Sequence, residues 1–171
     1  MDTSVIDRLA AADASRAGAE RRKGNTLLLY WQSLRAGRPY PALADVDPGA
    51  IAQLWRFCFA AELAPGGLRF SYLGHAVRRG YGMNEGTTPE GIPPKVLGVL
   101  RDPCREAVET RAPVLTEGVA PNAWGDELRF RACVCPMSDD GIDLTHVFGL
   151  VDYVELRREV ARGVQVETDI D

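Results

Sequence analysis

Residues 127–153 read ELRFRACVCPMSDDGIDLTHVFGLVDY. Over Glu127–Pro136, apolar side chains alternate with arginines and cysteines, which is the period of a β-strand with two different faces. One face carries Leu128, Phe130, Ala132 and Val134, and the other carries Arg129, Arg131, Cys133 and Cys135. The last part, Thr145–Tyr153, is apolar almost throughout, which is typical of a strand covered on both faces at the centre of a sheet. Because Met137–Gly141 is a turn signal between them, we predict an antiparallel pair.

Three further strands are predicted upstream of this pair. The β-prone runs Arg56–Leu63 and Leu68–Leu73 flank the turn signal Ala64-Pro65-Gly66-Gly67, so they predict a hairpin. In its second strand, alternation places Leu68, Phe70 and Tyr72 on one face. The remaining strand is predicted at Val114–Val119.

Three helical segments are predicted before the first strand. Residues Thr3–Gly24 carry a thin apolar stripe, so this helix must dock on the body, pair with a second copy or fray, and we favour pairing. Asn25 or Thr26 is expected to cap a second helix over Leu27–Arg35, which Gly37-Arg38-Pro39 ends. Asp45-Val46-Asp47-Pro48 is predicted as a turn and cap before a short helical stretch.

A glycine- and proline-rich stretch separates the first hairpin from a longer helix. The helix is predicted over Lys95–Thr110, with an interruption at Asp102-Pro103. The stretch itself, Gly74–Pro94, contains Gly80-Tyr81-Gly82, but no strand and helix flank it as a dinucleotide fingerprint requires. Short helices and loops that form one wall of a binding cavity are the natural interpretation.

Composition and charge restrict the class of protein. The chain has 171 residues, enough for one hydrophobic core, and 46% hydrophobic with 26% charged residues is typical of a soluble globular domain. The formal net charge of −4 argues against nucleic-acid binding through phosphate neutralisation. No apolar run approaches the length that spans a bilayer, and the N-terminus lacks the pattern of a secretory signal, so we expect a cytoplasmic protein.

The four cysteines do not predict a metal or catalytic centre. Cys133 and Cys135 form a C-x-C on one face of a strand, with no second pair at metal-binding spacing and two isolated histidines, His75 and His146. His146 lies beside the C-x-C if the last two strands form a hairpin, which would suit an activated thiol. The favoured interpretation is buried apolar thiols and a histidine at a strand edge, with neither catalytic residues nor a metal.

Four segments together resemble a PAS-type domain family of alphaproteobacterial proteins of mostly unassigned function. They are Leu29–Pro39 with its tryptophan and Gly-Arg-Pro, Ala44–Pro48, the strand Leu68–Leu73 followed by Gly74, and the ending Leu150–Tyr153. The resemblance implies an α+β fold, with a PAS-like five-stranded antiparallel sheet and helices on one face that enclose a cavity, plus an N-terminal helical extension. The boundaries that follow are 1–24 for the extension, 25–157 for the PAS-like domain and 158–171 for a charged C-terminal tail.

The cofactors of better-known PAS proteins do not fit these residues. The haem-binding type carries a histidine on the long helix, and residues 89–111 contain none. The flavin-binding photoreceptor type has Asn-Cys-Arg at its reactive cysteine, whereas Cys104-Arg105 follows Pro103. Haem and a cysteinyl–flavin bond are therefore disfavoured, and the cofactor stays unknown.

The resemblance implies sensing or protein interaction rather than catalysis. We expect a homodimeric signalling module that binds a small apolar or amphipathic molecule or a signalling protein partner, with Tyr72, Trp124 and His146 as candidate ligand contacts. One alternative is a small enzyme with a cone-shaped α+β fold, but its local candidates, His146 and Asp152, stand about 20 Å apart along one strand. The other is a ligand-free structural adaptor with a filled core.

Overall fold

The computed structural model describes residues 3–82, 91–92 and 94–156. Its helices are α1 (Thr3–Arg35), α2 (Ala52–Trp55), α3 (His75–Tyr81) and α4 (Pro94–Thr110), with one 3-10 turn at Leu43–Asp45. Its strands are β1 (Cys58–Ala64), β2 (Gly67–Leu73), β3 (Val114–Pro121), β4 (Glu127–Met137) and β5 (His146–Glu155). Within these ranges no helix combines the length and the apolarity that a bilayer crossing requires.

The strands form one antiparallel sheet in the order β2-β1-β5-β4-β3. All five predicted strands are present, and β5 is central because it pairs with β1 on one side and β4 on the other. Its burial on both faces explains its nearly continuous apolar sequence. The predicted α+β class, with one five-stranded antiparallel sheet and a helical N-terminal segment, is confirmed. The helices were predicted on one face of the sheet, and this part was wrong, since they pack on both faces.

Each face of the sheet carries its own core. On the face that we call inner, α3 and α4 pack on the sheet; the largest fully buried side chains there include Phe59, Tyr81, Leu100 and Leu128. On the opposite face, called outer, the second half of α1 packs together with α2, and its core includes Leu27, Trp31, Phe148 and Leu150. The alternation along β4 is confirmed, since Leu128, Ala132 and Val134 belong to the inner core and Cys133 and Cys135 to the outer core.

The N-terminal helix differs from the prediction. The sequence suggested two helices with a cap at Asn25 or Thr26, whereas α1 is continuous. The Thr26 hydroxyl donates to the Arg22 carbonyl, 2.7 Å away within the helix, instead of capping a new one. Gly24 is buried where a Cβ would lie 3.6 Å from Cys133 Cβ, so the glycine allows close approach to the sheet without ending the helix.

The predicted end of α1 is confirmed, and Arg38 explains it. After Arg35 the backbone turns through positive φ at Ala36 and Gly37. The Arg38 guanidinium then donates to the carbonyl oxygens of Leu34 and Arg35, at 2.9 and 3.1 Å. It also pairs with Asp45 at 2.7 Å, and this hydrogen bond is the main reason that the pKa of Asp45 is lowered. The Gly-Arg-Pro and Asp-x-Asp-Pro segments thus form one connected turn.

A β-bulge in β2 places Tyr72 on the opposite face of the sheet from the one that was predicted. Ala60 pairs with Tyr72 and Ala61 pairs with Phe70, so Ser71 is an extra residue in β2. Phe70 stays in the inner core, whereas Tyr72 turns to the outer face and packs there. Strict alternation put the two rings on one face, and this prediction was wrong because a single added residue reverses the side-chain direction. Pro103 lies buried inside the single helix α4, so it does not divide the helix into two.

Candidate functional site

Tyr81 is the last residue of α3 and is fully buried in the inner core, with 0% of its surface exposed. Among the described residues its hydroxyl finds no hydrogen-bond partner. Its ring meets the ring of Tyr153 edge-on, with centroids 5.7 Å apart. Burial raises the pKa of Tyr81 well above its ordinary value, so the hydroxyl stays protonated and able to donate. Buried donors are nearly always hydrogen-bonded in folded proteins, so an acceptor is expected beside this hydroxyl.

Gly80 allows α3 to approach the central strand. A Cβ at this position would lie 2.0 Å from Cζ of Tyr153, so a larger residue would push the Tyr153 ring away. Burial also raises the pKa of Tyr153. The Tyr81–Tyr153 pair therefore rests on a glycine contact between α3 and β5.

The outer face carries an ion pair at the same level of the sheet. Asp152, 4% exposed, accepts a hydrogen bond of 2.6 Å from the ammonium of Lys23 on α1. The same ammonium lies 4.2 Å from the centroid of the Phe57 ring. A buried carboxylate needs its counter-charge, so this pair fixes α1 against the central strand.

These two contacts are made by neighbouring residues of β5. Tyr153 points to the inner face and contacts Gly80 and Tyr81, while Asp152 points to the outer face and holds Lys23. The inner contact and the anchor of α1 therefore share one piece of the β5 backbone. We treat Tyr81, Tyr153, Asp152 and Lys23 as the candidate site and call it the β5 relay.

The thiols are buried and unreactive. All four are free, and three of them, Cys58, Cys133 and Cys135, belong to the outer core. Burial raises the pKa of Cys58 to about 12, and burial alone does the same for Cys104 on the inner face. Thiols held neutral in this way are poor nucleophiles. In the part of the chain that the structure describes, no group of three or more potential ligands is arranged to hold a metal ion.

The three candidate ligand contacts do not converge. The Tyr72 hydroxyl donates to the Trp55 carbonyl at 3.1 Å on the outer face, and its ring stacks on Trp55. His146 Nδ1 lies 2.9 Å from the Thr145 hydroxyl and 3.6 Å from Asp139. Because His146 pairs with the last residue of β4 and Trp124 precedes its first, the two are about 33 Å apart along that strand. Their role as ligand contacts stays a prediction.

Trp124 alone of the three lies near the β5 relay. It is 69% exposed in the turn between β3 and β4, where its ring lies 3.5 Å from the Cβ position of Gly82. The preceding residue, Ala123, donates its backbone N–H to the Tyr81 carbonyl at 3.1 Å. The turn is held by Asn122, whose side-chain oxygen accepts from two backbone N–H groups. This turn therefore covers the end of α3.

Sequence reasoning missed most of the β5 relay. The sequence analysis considered Gly80-Tyr81-Gly82 only as a dinucleotide fingerprint, which its flanking residues do not support. A large ring between two glycines was the available signal, because Gly80 admits a close contact and Gly82, at φ 81°, ends the helix. Lys23 lies in the segment assigned to an extension, so its partner Asp152 had no visible reason to be buried.

Comparison with known proteins gives structural likeness only. No protein-family model matches the chain, and no curated protein matches it in sequence. The light-state dimer of the fungal blue-light photoreceptor Vivid is 16% identical, with 56% of this chain and 75% of that chain covered and a TM-score of 0.43. A Rhodobacter sphaeroides LOV protein is 14% identical, with 67% and 71% covered and a TM-score of 0.45.

A light-oxygen-voltage domain studied with a flavin analogue is 10% identical, with 62% of this chain and 82% of that chain covered and a TM-score of 0.49. With identities this low and TM-scores below 0.5, these likenesses carry no argument about function. The fold class rests instead on this chain's own strand order and pairing, which form one five-stranded antiparallel sheet.

Proposed function

We propose that the chain is a PAS-like sensory module that binds a small apolar or amphipathic molecule on the inner face, next to Tyr81. The observation that carries the proposal is the Tyr81 hydroxyl, which is fully buried and without a partner among the described residues. A buried unsatisfied donor costs about 1–3 kcal/mol, and a ligand with one acceptor atom would recover that free energy. The surrounding apolar core suits the rest of such a molecule.

The signal is relayed through β5 to α1. A ligand that hydrogen-bonds to Tyr81 changes its contact with Tyr153, and the adjacent Asp152 holds Lys23 on the other face. The Tyr81–Tyr153 contact and the Asp152–Lys23 pair are coupled because adjacent residues of β5 make them. A ligand shifts the position of α1 only by the difference in its affinity for the two positions.

Output passes through the N-terminal helix to a second copy of the chain or to a signalling protein. The thin apolar stripe of residues 5–19 supports pairing, since it is too weak to hold an isolated helix. On this proposal, residues 1–24 are the dimer extension, 25–157 the sensory domain and 158–171 a charged C-terminal tail, in a cytoplasmic protein without enzymatic activity. The site next to Tyr81 does not require Tyr72 or His146, whose role as ligand contacts stays a prediction.

The first test is native mass spectrometry of the purified protein before and after denaturation. The proposal predicts a mass excess that disappears on denaturation and is lost in Tyr81→Phe. Tyr72→Phe is the matched control, because its hydroxyl already has a partner in the Trp55 carbonyl. Bare wild-type protein at dimer mass would contradict ligand sensing and favour the structural adaptor.

A second test addresses the dimer. Leu9→Glu is expected to convert the dimer to a monomer in light scattering coupled to size-exclusion chromatography. The control is Leu29→Glu on the same helix, since Leu29 is already 66% exposed. A dimer that survives Leu9→Glu would refute pairing through the N-terminal helix.

A further inference from the structure

An open cavity of about 450 Å³ lies between the β1–β2 turn and the second half of α4. This size is within the range of small-molecule sites in proteins. Leu63 donates its backbone N–H to the Thr145 carbonyl, which places the turn at the start of β5, whereas Tyr81 contacts Tyr153 near its end. Eight residues of strand, about 26 Å, therefore separate this cavity from the β5 relay.

The floor of the cavity is apolar. Leu63 and Leu68 are directly opposite each other in the β1–β2 hairpin, and both line the cavity. Val108 faces them from α4, and it packs with Leu68 against the edge of the inner core. These side chains form a slot that suits a hydrocarbon chain.

The rim of the cavity is positively charged at one end. Arg101 and Arg105 stand four residues apart on α4, on the same side of the helix, and both line the cavity. Arg105 has a loose contact of 3.4 Å with Asp102, in which both side chains are more than two-thirds exposed. Arg101 has no ion-pair partner among the residues that the structure describes, so its guanidinium is available to an anion.

We propose that this cavity binds an amphipathic monocarboxylate, with the carboxylate on Arg101 and Arg105 and the hydrocarbon chain over Leu63 and Leu68. Guanidinium groups bind carboxylates through charge-assisted, often bidentate hydrogen bonds. Glu109 lines the same cavity, two turns from Arg101 or about 12 Å along the helix. Its charge opposes a second carboxylate at the far end of the chain, so the site selects monocarboxylates over dicarboxylates.

The test is a titration of the ¹⁵N-labelled protein with sodium octanoate, followed by amide chemical shifts. The proposal predicts saturable shifts confined to residues 63–68 and 101–109. Suberate, the dicarboxylate of the same length, and octylammonium, which carries the opposite charge, are both expected to bind at least about tenfold more weakly. Both probes keep a hydrocarbon chain for the apolar slot and differ from octanoate in their charged groups. A difference in affinity therefore reports on the charged side chains of the cavity.

Variants then locate the headgroup. Arg101→Gln and Arg105→Gln are each expected to weaken octanoate binding about tenfold, the loss of one charge-assisted hydrogen bond. Arg111→Gln is the matched control, since Arg111 is exposed just after α4 and does not line the cavity. Equal affinity for octylammonium, unchanged affinity in both arginine variants, or shifts centred on Tyr81 would each overturn the proposal. The last result would instead support the inner-face ligand site.

Discussion

The inner face of the sheet is packed by aliphatic and aromatic side chains and one thiol, whereas the outer face has three thiols, an indole hydrogen bond and an ion pair. On the outer face, Trp31 donates its indole N–H to the Pro136 carbonyl at 2.9 Å, and Lys23 pairs with Asp152. On the inner face, the Tyr81 hydroxyl is buried without a partner in the described residues. The buried indole and carboxylate of the outer core are thus paired, whereas the buried phenol of the inner core is open.

On the proposed function, the outer face holds α1 in place and the inner face binds the ligand. A face whose polar groups are paired has one favoured packing, because any displacement leaves a buried donor or charge unsatisfied. A face with an open donor gains free energy when a molecule supplies the missing acceptor. The outer face therefore positions α1, and the inner face holds the donor that a ligand would satisfy.

The largest expected effect tests whether the inner core contributes more to the free energy of unfolding than the outer core does. Phe59→Ala is expected to lower the free energy of unfolding by about 3–5 kcal/mol, because a fully buried ring is removed and Gly149 beside it cannot fill the space. Phe148→Ala on the outer face is expected to cost about 1 kcal/mol less, since the half-buried Trp55 ring beside it can move in. Urea denaturation measures both.

The exposed Leu29→Ala is the control for that pair, with an expected change within about 0.5 kcal/mol. An equal or larger loss for Phe148→Ala would mean that the outer face carries as much of the packing free energy as the inner one.

Alkaline pH is expected to weaken both faces together. Burial raises the pKa of Cys58, on the outer face, and of Cys104, on the inner face, from about 9 to about 12. The thiols ionise first in the unfolded chain, so stability is fully present below pH 9 and falls as pH rises toward 12, by about 1.4 kcal/mol per pH unit for each thiol.

Urea denaturation at pH 8, 9.5 and 10.5 measures this slope. Cys58→Ala and Cys104→Ala should each reduce it by the share of one thiol. A slope that only one of the two variants reduces would show that water reaches the other thiol, and the two faces would then differ in solvent exclusion.

The ion pair is expected to respond asymmetrically to truncation. Lys23→Ala should cost about 2–3 kcal/mol, because it leaves the buried Asp152 carboxylate without its cation. Asp152→Asn should cost about 1 kcal/mol, since the Lys23 ammonium, on a side chain that is 29% exposed, can turn to water. Thermal denaturation of the two variants ranks them, and the reverse order would refute the outer face as the anchor of α1.

The smallest expected effect is no change or a gain in the free energy of unfolding, whereas the other variants lose stability. Tyr81→Phe in ligand-free protein should leave the stability unchanged or raise it by up to about 1 kcal/mol, because it removes an unsatisfied buried hydroxyl. Chemical denaturation of the refolded protein measures the change. A loss of more than about 1 kcal/mol would mean that the hydroxyl already has a partner in the folded chain, and the contrast between the two faces would disappear.

The sequence predicted the sheet well because the strands carry their own signals. β4 alternates and β5 is apolar on both faces, and such patterns depend only on the local period. The continuity of α1 could not be predicted, since Gly24 weakens a helix locally and its compensation is contact with Cys133 across the sheet. The helix through Pro103 is a similar case, because the burial of the proline offsets its local cost.

The candidate site was largely invisible for the same reason. The bulge at Ser71 exists only in the pairing of β2 with β1, so alternation alone put Tyr72 on the wrong face. The Lys23–Asp152 pair joins residues 129 positions apart, and neither residue type signals burial by itself. Local patterns predict elements, whereas the β5 relay consists of contacts between elements.

The unbroken course of α1 from Thr3 to Arg35 has a mechanical consequence. Its first residue, Thr3, is 20 positions before Lys23, so the helix extends about 30 Å beyond the ion pair. If α1 moves as a rigid rod that pivots at Lys23, a tilt of about 5° displaces its N-terminal end by about 2.6 Å. A rearrangement at Asp152 too small to disturb the sheet would thus become a displacement comparable to half a helical turn at the far end.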